Sequence, residues 1–266
     1  MTKLFGRTKS VFAMLHIRAL PGTPLNRLTM DEITAKAVEE AQVYLAEGVD
    51  GLIIENMHDV PYLNGHCGPE IVAGMTAVAV TLRKLTDKPI GIQILAGCNK
   101  EALAVAHIAG LDFIRAEGFV FGHVADEGIM NSCAGELLRY RKSIGAEKVL
   151  IFTDIMKKHS SHAITADLDV ADHAEAAEFF LSDGLIITGS STAKPASIEE
   201  LEIVQKVSKL PILIGSGLNA ENIERYYPFA SGFIVGSNLK IDGKWQNELS
   251  QIRIRSFMES FRSLYR

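Results

Sequence analysis

Short apolar runs alternate along the chain with segments of helical period. Eight runs read as strands: Val11–Leu15, Gly51–Glu55, Ile90–Leu95, Phe113–Ala116, Val149–Thr153, Leu185–Thr188, Ile212–Gly215 and Phe233–Val235. Most are continuously apolar rather than alternating, the pattern of parallel strands covered on both faces. The segments between them carry helix punctuation. Thr29 precedes Met30–Glu47 with Glu32 three residues on, a capping box, and Ser197 precedes Ile198–Lys209 with Glu200 at the same offset. Asn219 is a third N-cap candidate, although Asn222 stands where a box would have Glu or Gln, so only the cap itself is supported. Gly48, Gly110 and Gly145 stand where helices should stop.

Eight such units predict a (β/α)8 TIM barrel occupying 1–266 as a single domain; a doubly wound open sheet is the competitor. An internal repeat favours the barrel. Asp50-Gly51-Leu52-Ile53-Ile54 recurs half a chain later as Asp183-Gly184-Leu185-Ile186-Ile187. Pro89-Ile90 recurs as Pro211-Ile212, and Phe113-Ile114 as Phe233-Ile234. Each match is short, but all three share one phase, four strands apart, as two half-barrels require.

Composition narrows the partners. The 266 residues are 47% hydrophobic and 22% charged, with a net charge of −5. No apolar run approaches the roughly 20 residues of a membrane span, and no dense Lys/Arg cluster points to nucleic acid. Cys67, Cys98 and Cys133 are too widely spaced for a metal knuckle or a disulfide framework, which suggests a reducing compartment. Lys3, Arg7, Lys9, Arg18 and Arg27 all precede the first acidic residue, Asp31, a bias faintly like a transit peptide. Because Val11–Leu15 already reads as a buried strand, the expectation is a cytoplasmic protein, with an organelle left open. Self-association into a homo-oligomer is also left open.

A barrel builds its site at the C-terminal strand ends. Here those ends are polarised. The first half supplies His16, Glu55, Gln93, Arg115 and Glu117; the second supplies Asp154, then Thr188-Gly189-Ser190, Gly215-Ser216-Gly217 and Gly236-Ser237. Gly189, Ser190, Gly215, Ser216, Gly217, Gly236 and Ser237 are candidates for binding a phosphate. Glycine lets backbone N–H groups approach an anion, and a following helix N-terminus would add its dipole. Tight βα turns are the plainer reading; Lys240 could add a charge to the site, but its plainer reading is a solvated lysine. His16, Glu55, Arg115, Glu117 and Asp154 are the catalytic candidates. A charge after a buried strand is costly unless it faces a polar cavity or a partner, and proton transfer uses such groups. Structural alternatives are a Glu55–Arg115 salt bridge, a His16 bond to a loop carbonyl, and Asp154 as a metal ligand or loop cap.

No cofactor is firmly implied. His159 and His162, with Asp154 or Glu55, make a mixed nitrogen and oxygen site for a divalent metal imaginable. A Schiff-base lysine is expected at a strand end, whereas Lys157, Lys158 and Lys194 fall in loops beyond the strands. No GxxxxGK[ST] occurs, so P-loop nucleotide hydrolysis is not supported.

The chain resembles the BtpA family (BtpA/SgcQ-like proteins). The stretches that carry the resemblance are His16-Ile17-Arg18-Ala19-Leu20-Pro21-Gly22, Glu55-Asn56 with Asp59-Val60-Pro61, Met75-Thr76, and Asp154 with Lys158-His159-Ser160. Thr188-Gly189-Ser190-Ser191-Thr192, Gly215-Ser216-Gly217 and Gly232-Phe233-Ile234-Val235-Gly236-Ser237 complete it. Where that pattern has glycine after Thr192, this chain has Ala193. The resemblance implies a barrel akin to ribulose-phosphate-binding enzymes and a link to photosystem I biogenesis. Two functions follow as expectations. One is an enzyme acting on a small phosphorylated metabolite by isomerisation, epimerisation or lyase chemistry. The other is a non-catalytic assembly or regulatory factor that keeps the barrel and its anion site.

Overall fold

The computed structural model describes residues 4–189 and 195–264. Eight parallel strands close into a barrel: β1 (Ser10–His16), β2 (Gly51–Glu55), β3 (Ile90–Gln93), β4 (Phe113–Ala116), β7 (Leu150–Ile155), β9 (Gly184–Ile187), β10 (Ile212–Ile214) and β11 (Gly232–Val235). β1 closes the ring by pairing with both β2 and β11. All eight expected runs are present. Three further short strands, β5 (His123–Ala125), β6 (Gly128–Met130) and β8 (Ser160–Ser161), form an antiparallel sheet of order β6-β5-β8. These were not read from the sequence, because two- and three-residue strands carry no period. The helices are α1 (Met30–Ala46), α2 (Pro69–Leu85), α3 (Asn99–Ala109), α4 (Ala134–Ser143), α5 (Val170–Phe179), α6 (Ile198–Val207), α7 (Ile223–Tyr226) and α8 (Gln251–Ser263).

The caps at Thr29 and Ser197 act as their residue types predict. Thr29 and Glu32 form a full capping box, and Ser197 accepts from the Glu200 N–H. Asn219 is not the helix cap expected of it: α7 begins after Asn222, which makes no side-chain cap bond, and Asn219 Oδ1 accepts from Asn222 N while Asn222 Oδ1 accepts from Asn219 N, a reciprocal pair in the turn before that helix. The helix itself is only four residues long. Three aspartates tie adjacent strands at the N-terminal end of the barrel. Asp50 accepts from Val11 N, Asp112 from Ile90 N and Asp183 from Ile151 N, at 2.8–2.9 Å, and each also meets an arginine: Arg7, Arg83 or Arg141. The repeated Asp-Gly motif is therefore a structural tie.

Inside the barrel, size alternates between neighbouring strands. Register pairs Phe12 with Gly51, Phe113 with Gly91, Phe152 with Gly184 and Leu213 with Gly232. A methyl group on Gly51 would stand 2.7 Å from the Phe12 ring, and one on Gly232 2.7 Å from Leu213. Large residues thus fill the interior only because their neighbours have no side chain. Two residues up each strand come Met14, Ile53, Ile186 and Ile234, buried with the phenylalanines. The next inward positions are His16 and Glu55, above Met14 and Ile53, and Gln93 and Arg115, directly above Gly91 and Phe113, because inward positions recur every second residue. The polar mouth therefore sits directly on an apolar plug.

Candidate functional site

One cavity of about 350 Å³ opens at the C-terminal end of the barrel. It is lined by His16, Glu55, Gln93, Arg115 and Glu117 from β1 to β4 and the residue after it, and by Gly215–Gly217 and Gly236–Ser237 beyond β10 and β11. In the closed strand order β3 stands opposite β10, and β4 opposite β11. The ionisable wall therefore faces the glycine-rich wall. Met14, Leu95 and Ile234 give the cavity apolar contacts.

Arg115 does not pair with Glu55. Its Nε and Nη2 donate to Asp154 Oδ2 and Oδ1 at 3.0 and 2.8 Å, a buried bidentate fork. Asp154, expected among the proton-moving groups, is thus committed to Arg115 and does not line the main cavity. It orients the guanidinium. Among the described residues Glu55 has no such tight partner. The nearest approach to His16 is 3.8 Å, between His16 Nε2 and Glu55 Oε2. This contact is not an ion pair: burial pushes His16 down to about 3, with Lys240 and His58 adding to it, and burial pushes the Glu55 carboxyl above its usual range. Both groups are driven towards neutrality. Burial raises Glu117 as well, against the pull of Lys157, whose Nζ stands 3.3 Å from Glu117 Oε2; Gly97 N donates to the same oxygen at 3.1 Å. Two protonatable carboxyls thus share one small cavity.

The glycine-rich wall departs from expectation in one respect. No long helix starts directly at either strand end: α7, after β10, has four residues, and between β11 and α8 lie only two 3-10 turns, Ser237–Leu239 and Ile241–Gly243. The expected helix dipole is therefore lacking here, and an anion would have to rely on backbone N–H groups and nearby cations. The backbone itself is shaped for close approach. Gly217 has φ +70, Asn222 Nδ2 donates to its carbonyl at 2.8 Å, and a methyl group on Gly215 would stand 2.8 Å from Ile186. Gly189 is buried but is not part of the lining, and Ser190, with Ser191 to Lys194, lies outside the described residues.

Other side chains at the mouth gave no sequence signal. Trp245, in the segment after β11, sets its ring edge-on to His58 at 4.9 Å and to His16 at 6.2 Å, covering part of the cavity. That segment is held by Lys240, which is not solvated as expected but fully buried, with Nζ 3.6 Å from Glu40 on α1. Glu248 adds contacts to Arg18 and to Lys36, the latter at 2.7 Å. Lys158 also differs from expectation: although it lies beyond its strand, it lines the cavity. Asp126 and Glu127, from the β5–β6 turn, approach from above. The Glu55-Asn56…Asp59 motif is partly structural. Asp59 accepts from Leu20 N at 2.8 Å, and Asn56 bonds both Asp59 and Leu95 N, which ties the loops after β1, β2 and β3 together.

The expected pair of histidine metal ligands separates. His159 lines the cavity, whereas the His162 ring lies 5.5 Å from His123 and its Nε2 meets the Lys157 carbonyl. Among the described residues no three His, Cys, Asp or Glu side chains are placed to hold a metal ion.

A family model described as the BtpA family matches residues 7–263. The chain belongs to the BtpA family. An uncharacterized Caenorhabditis elegans protein, named as mitochondrial, is 52% identical over 96% of this chain and 94% of its own length. The photosystem I biogenesis protein BtpA of Synechocystis sp. is 33% identical over 94% of this chain and 87% of its own. Among solved structures, KGPDC from Streptococcus mutans matches with a TM-score of 0.61 at 11% identity, covering 98% of this chain and 100% of that one. Thiamine phosphate pyrophosphorylase from Pyrococcus furiosus matches with a TM-score of 0.59 at 14% identity, covering 97% and 98%. These likenesses establish the barrel fold. No helix among the described residues is long and apolar enough to cross a membrane.

Proposed function

We propose that this BtpA-family chain is an enzyme acting on a small phosphorylated metabolite, a sugar phosphate or a nucleoside-derived phosphate, by acid–base chemistry. One observation carries the reading: a single cavity of metabolite size sets buried, protonatable carboxyls opposite two glycine-rich strand ends. The phosphate would lie against Gly215–Gly217 and Gly236–Ser237, as barrels commonly place it after their last two strands. Glu55, raised above the usual carboxylate range by burial, would give or take the proton. Neutral His16 would accept a hydrogen bond beside it, and Arg115, aimed by Asp154, would hold a developing oxyanion. Isomerisation, epimerisation and lyase cleavage can all use such a set. The fold is shared with proteins whose names include phosphorylated compounds, which agrees with this choice. We place the reaction in an aqueous compartment, the cytoplasm or an organelle interior, the latter in keeping with the worm relative's name.

The test is calorimetry with a panel of phosphate esters. Binding by the parent chain and its loss in folded Gly217→Val, whose side chain would intrude at φ +70, is the expected result. Unchanged affinity in the variant would remove the assignment. The second reading, an assembly factor without catalysis, is favoured by the name of the Synechocystis relative. It requires that no phosphorylated ligand is turned over, while binding to a protein partner persists in Glu55→Gln.

A further inference from the structure

The segment that leaves β7 is turned by two residues in an uncommon conformation. Met156 and His159 have φ of +46 and +54, left-handed values that are costly for a residue with a side chain. They bracket Lys157 and Lys158. Such strain persists only where surrounding structure over-determines it, and it clusters at working sites. The two lysines have different circumstances. Lys157 is held by Glu117 at 3.3 Å and by Glu127 at 3.8 Å. Lys158 lines the same cavity and makes no hydrogen bond or ion pair with any described residue. Its surroundings are Arg115, Glu55, Asp154 and Glu117, and its charge is also felt by His16. Among the described residues the amine therefore stands within the ionisable wall without a partner of its own.

We propose that Lys158 forms a Schiff base with a carbonyl carbon of the phosphorylated substrate, which makes that substrate a phosphorylated aldehyde, ketone or 2-oxo acid. The proposal rests on the phosphate-ester reading above for the phosphoryl group, and on the cavity geometry for the amine. Burial, followed by the Arg115 guanidinium, holds the Lys158 ammonium below the usual lysine range, so a larger share of it is the free amine. The Nζ lone pair adds to the carbonyl carbon, and the C=O electron pair moves to oxygen, which takes a proton. The nitrogen, now carrying two protons and a positive charge, gives one of them up, and the carbinolamine hydroxyl takes a second proton and leaves as water, so amine, carbonyl and one net proton become an iminium and one water. Glu55 and Glu117, both biased by burial towards the protonated form, are the donors at hand. The iminium then accepts the electron pair released when a neighbouring C–H or C–C bond breaks, the step shared by isomerases and lyases. No oxidant or reductant is needed.

Reductive trapping tests this on the full chain. The protein is incubated at neutral pH with dihydroxyacetone phosphate or glycolaldehyde phosphate and cyanoborohydride, and the adduct is located by peptide mass spectrometry. A surface lysine with a pKa near 10.4 offers roughly one free amine in a few thousand at that pH. Labelling at Lys158 should therefore outrun that at any surface lysine by at least about tenfold, and Lys158→Met and Lys158→Arg should both remove the adduct. Labelling spread over surface lysines, or none at residue 158 with either probe while phosphate esters still bind by calorimetry, overturns the Schiff base and leaves the phosphate site standing. A Lys158 adduct that forms as fast with unphosphorylated glycolaldehyde supports the amine and counts against the phosphate site.

Discussion

Arg115 and Asp154 occupy successive inward steps on adjacent strands, and their side chains close a bidentate pair away from solvent. The register sets Arg115 beside Phe152, so Asp154 stands one inward step higher, level with the guanidinium. The pair is costly to break because either survivor would be a buried, uncompensated charge. Asp154→Ala should lose about 3–5 kcal/mol in urea denaturation. The double change Arg115→Met with Asp154→Leu should lose clearly less, since apolar groups need no partner. Equal losses would mean that the pair is not what holds these strands.

Glu55 should respond differently. Its native carboxyl is raised by burial, so the native state binds that proton more tightly than the unfolded chain does. The resulting stability is complete below about pH 4.3, the unfolded value, and is lost as pH rises through the native value. Glu55→Gln has no such dependence. Measured by thermal denaturation, the variant should gain on the parent between pH 4.5 and pH 7.5. With a ligand from the phosphate-ester screen, turnover should fall by about 10²–10⁴. A variant that melts early and turns over fully would make Glu55 structural.

His123 should act in the opposite sense. It is buried, its Nε2 has no hydrogen-bond partner among the described residues, and burial, then Lys157, lowers it to about 4. Below about pH 6.5 the unfolded chain takes up a proton that the native state refuses. Stability is therefore full above about 6.5 and falls as pH drops towards the native value. His123→Phe keeps a ring beside His162, and its melting temperature should fall less than the parent's between pH 7.5 and pH 5. Parallel curves would rule out a neutral, buried His123.

The interior alternation can be checked by packing alone. A methyl group at residue 184 would lie 2.7 Å from the Phe152 ring and 3.1 Å from the Pro211 carbonyl. Gly184→Ala should cost about 1–3 kcal/mol by overpacking. Adding Phe152→Leu should return part of it, so the two changes should couple by at least about 0.5 kcal/mol in a double-mutant cycle. Strict additivity would show that the ring can move aside.

Several of these features were open to reading before any coordinates. Eight continuously apolar runs, the Thr29 and Ser197 caps and the repeat beginning at Asp50 and Asp183 are local or periodic signals, and each states its own geometry. The inward parity of His16, Glu55, Gln93 and Arg115 follows from the same period, since residues two apart share a face. What the chain could not declare is which of these groups meet. The partner of Arg115 depends on the β4–β7 register, and Asp154 rather than Glu55 is at its height. Lys240 and Trp245 depend on the path of the segment after β11, which turns Lys240 inward to Glu40 and sets Trp245 beside His16 and His58. Lys158 depends on two left-handed residues that no periodicity marks. Local preference is decided within a few residues. Contacts across the barrel mouth are decided by closure of the whole ring, which brings together side chains from opposite ends of the chain.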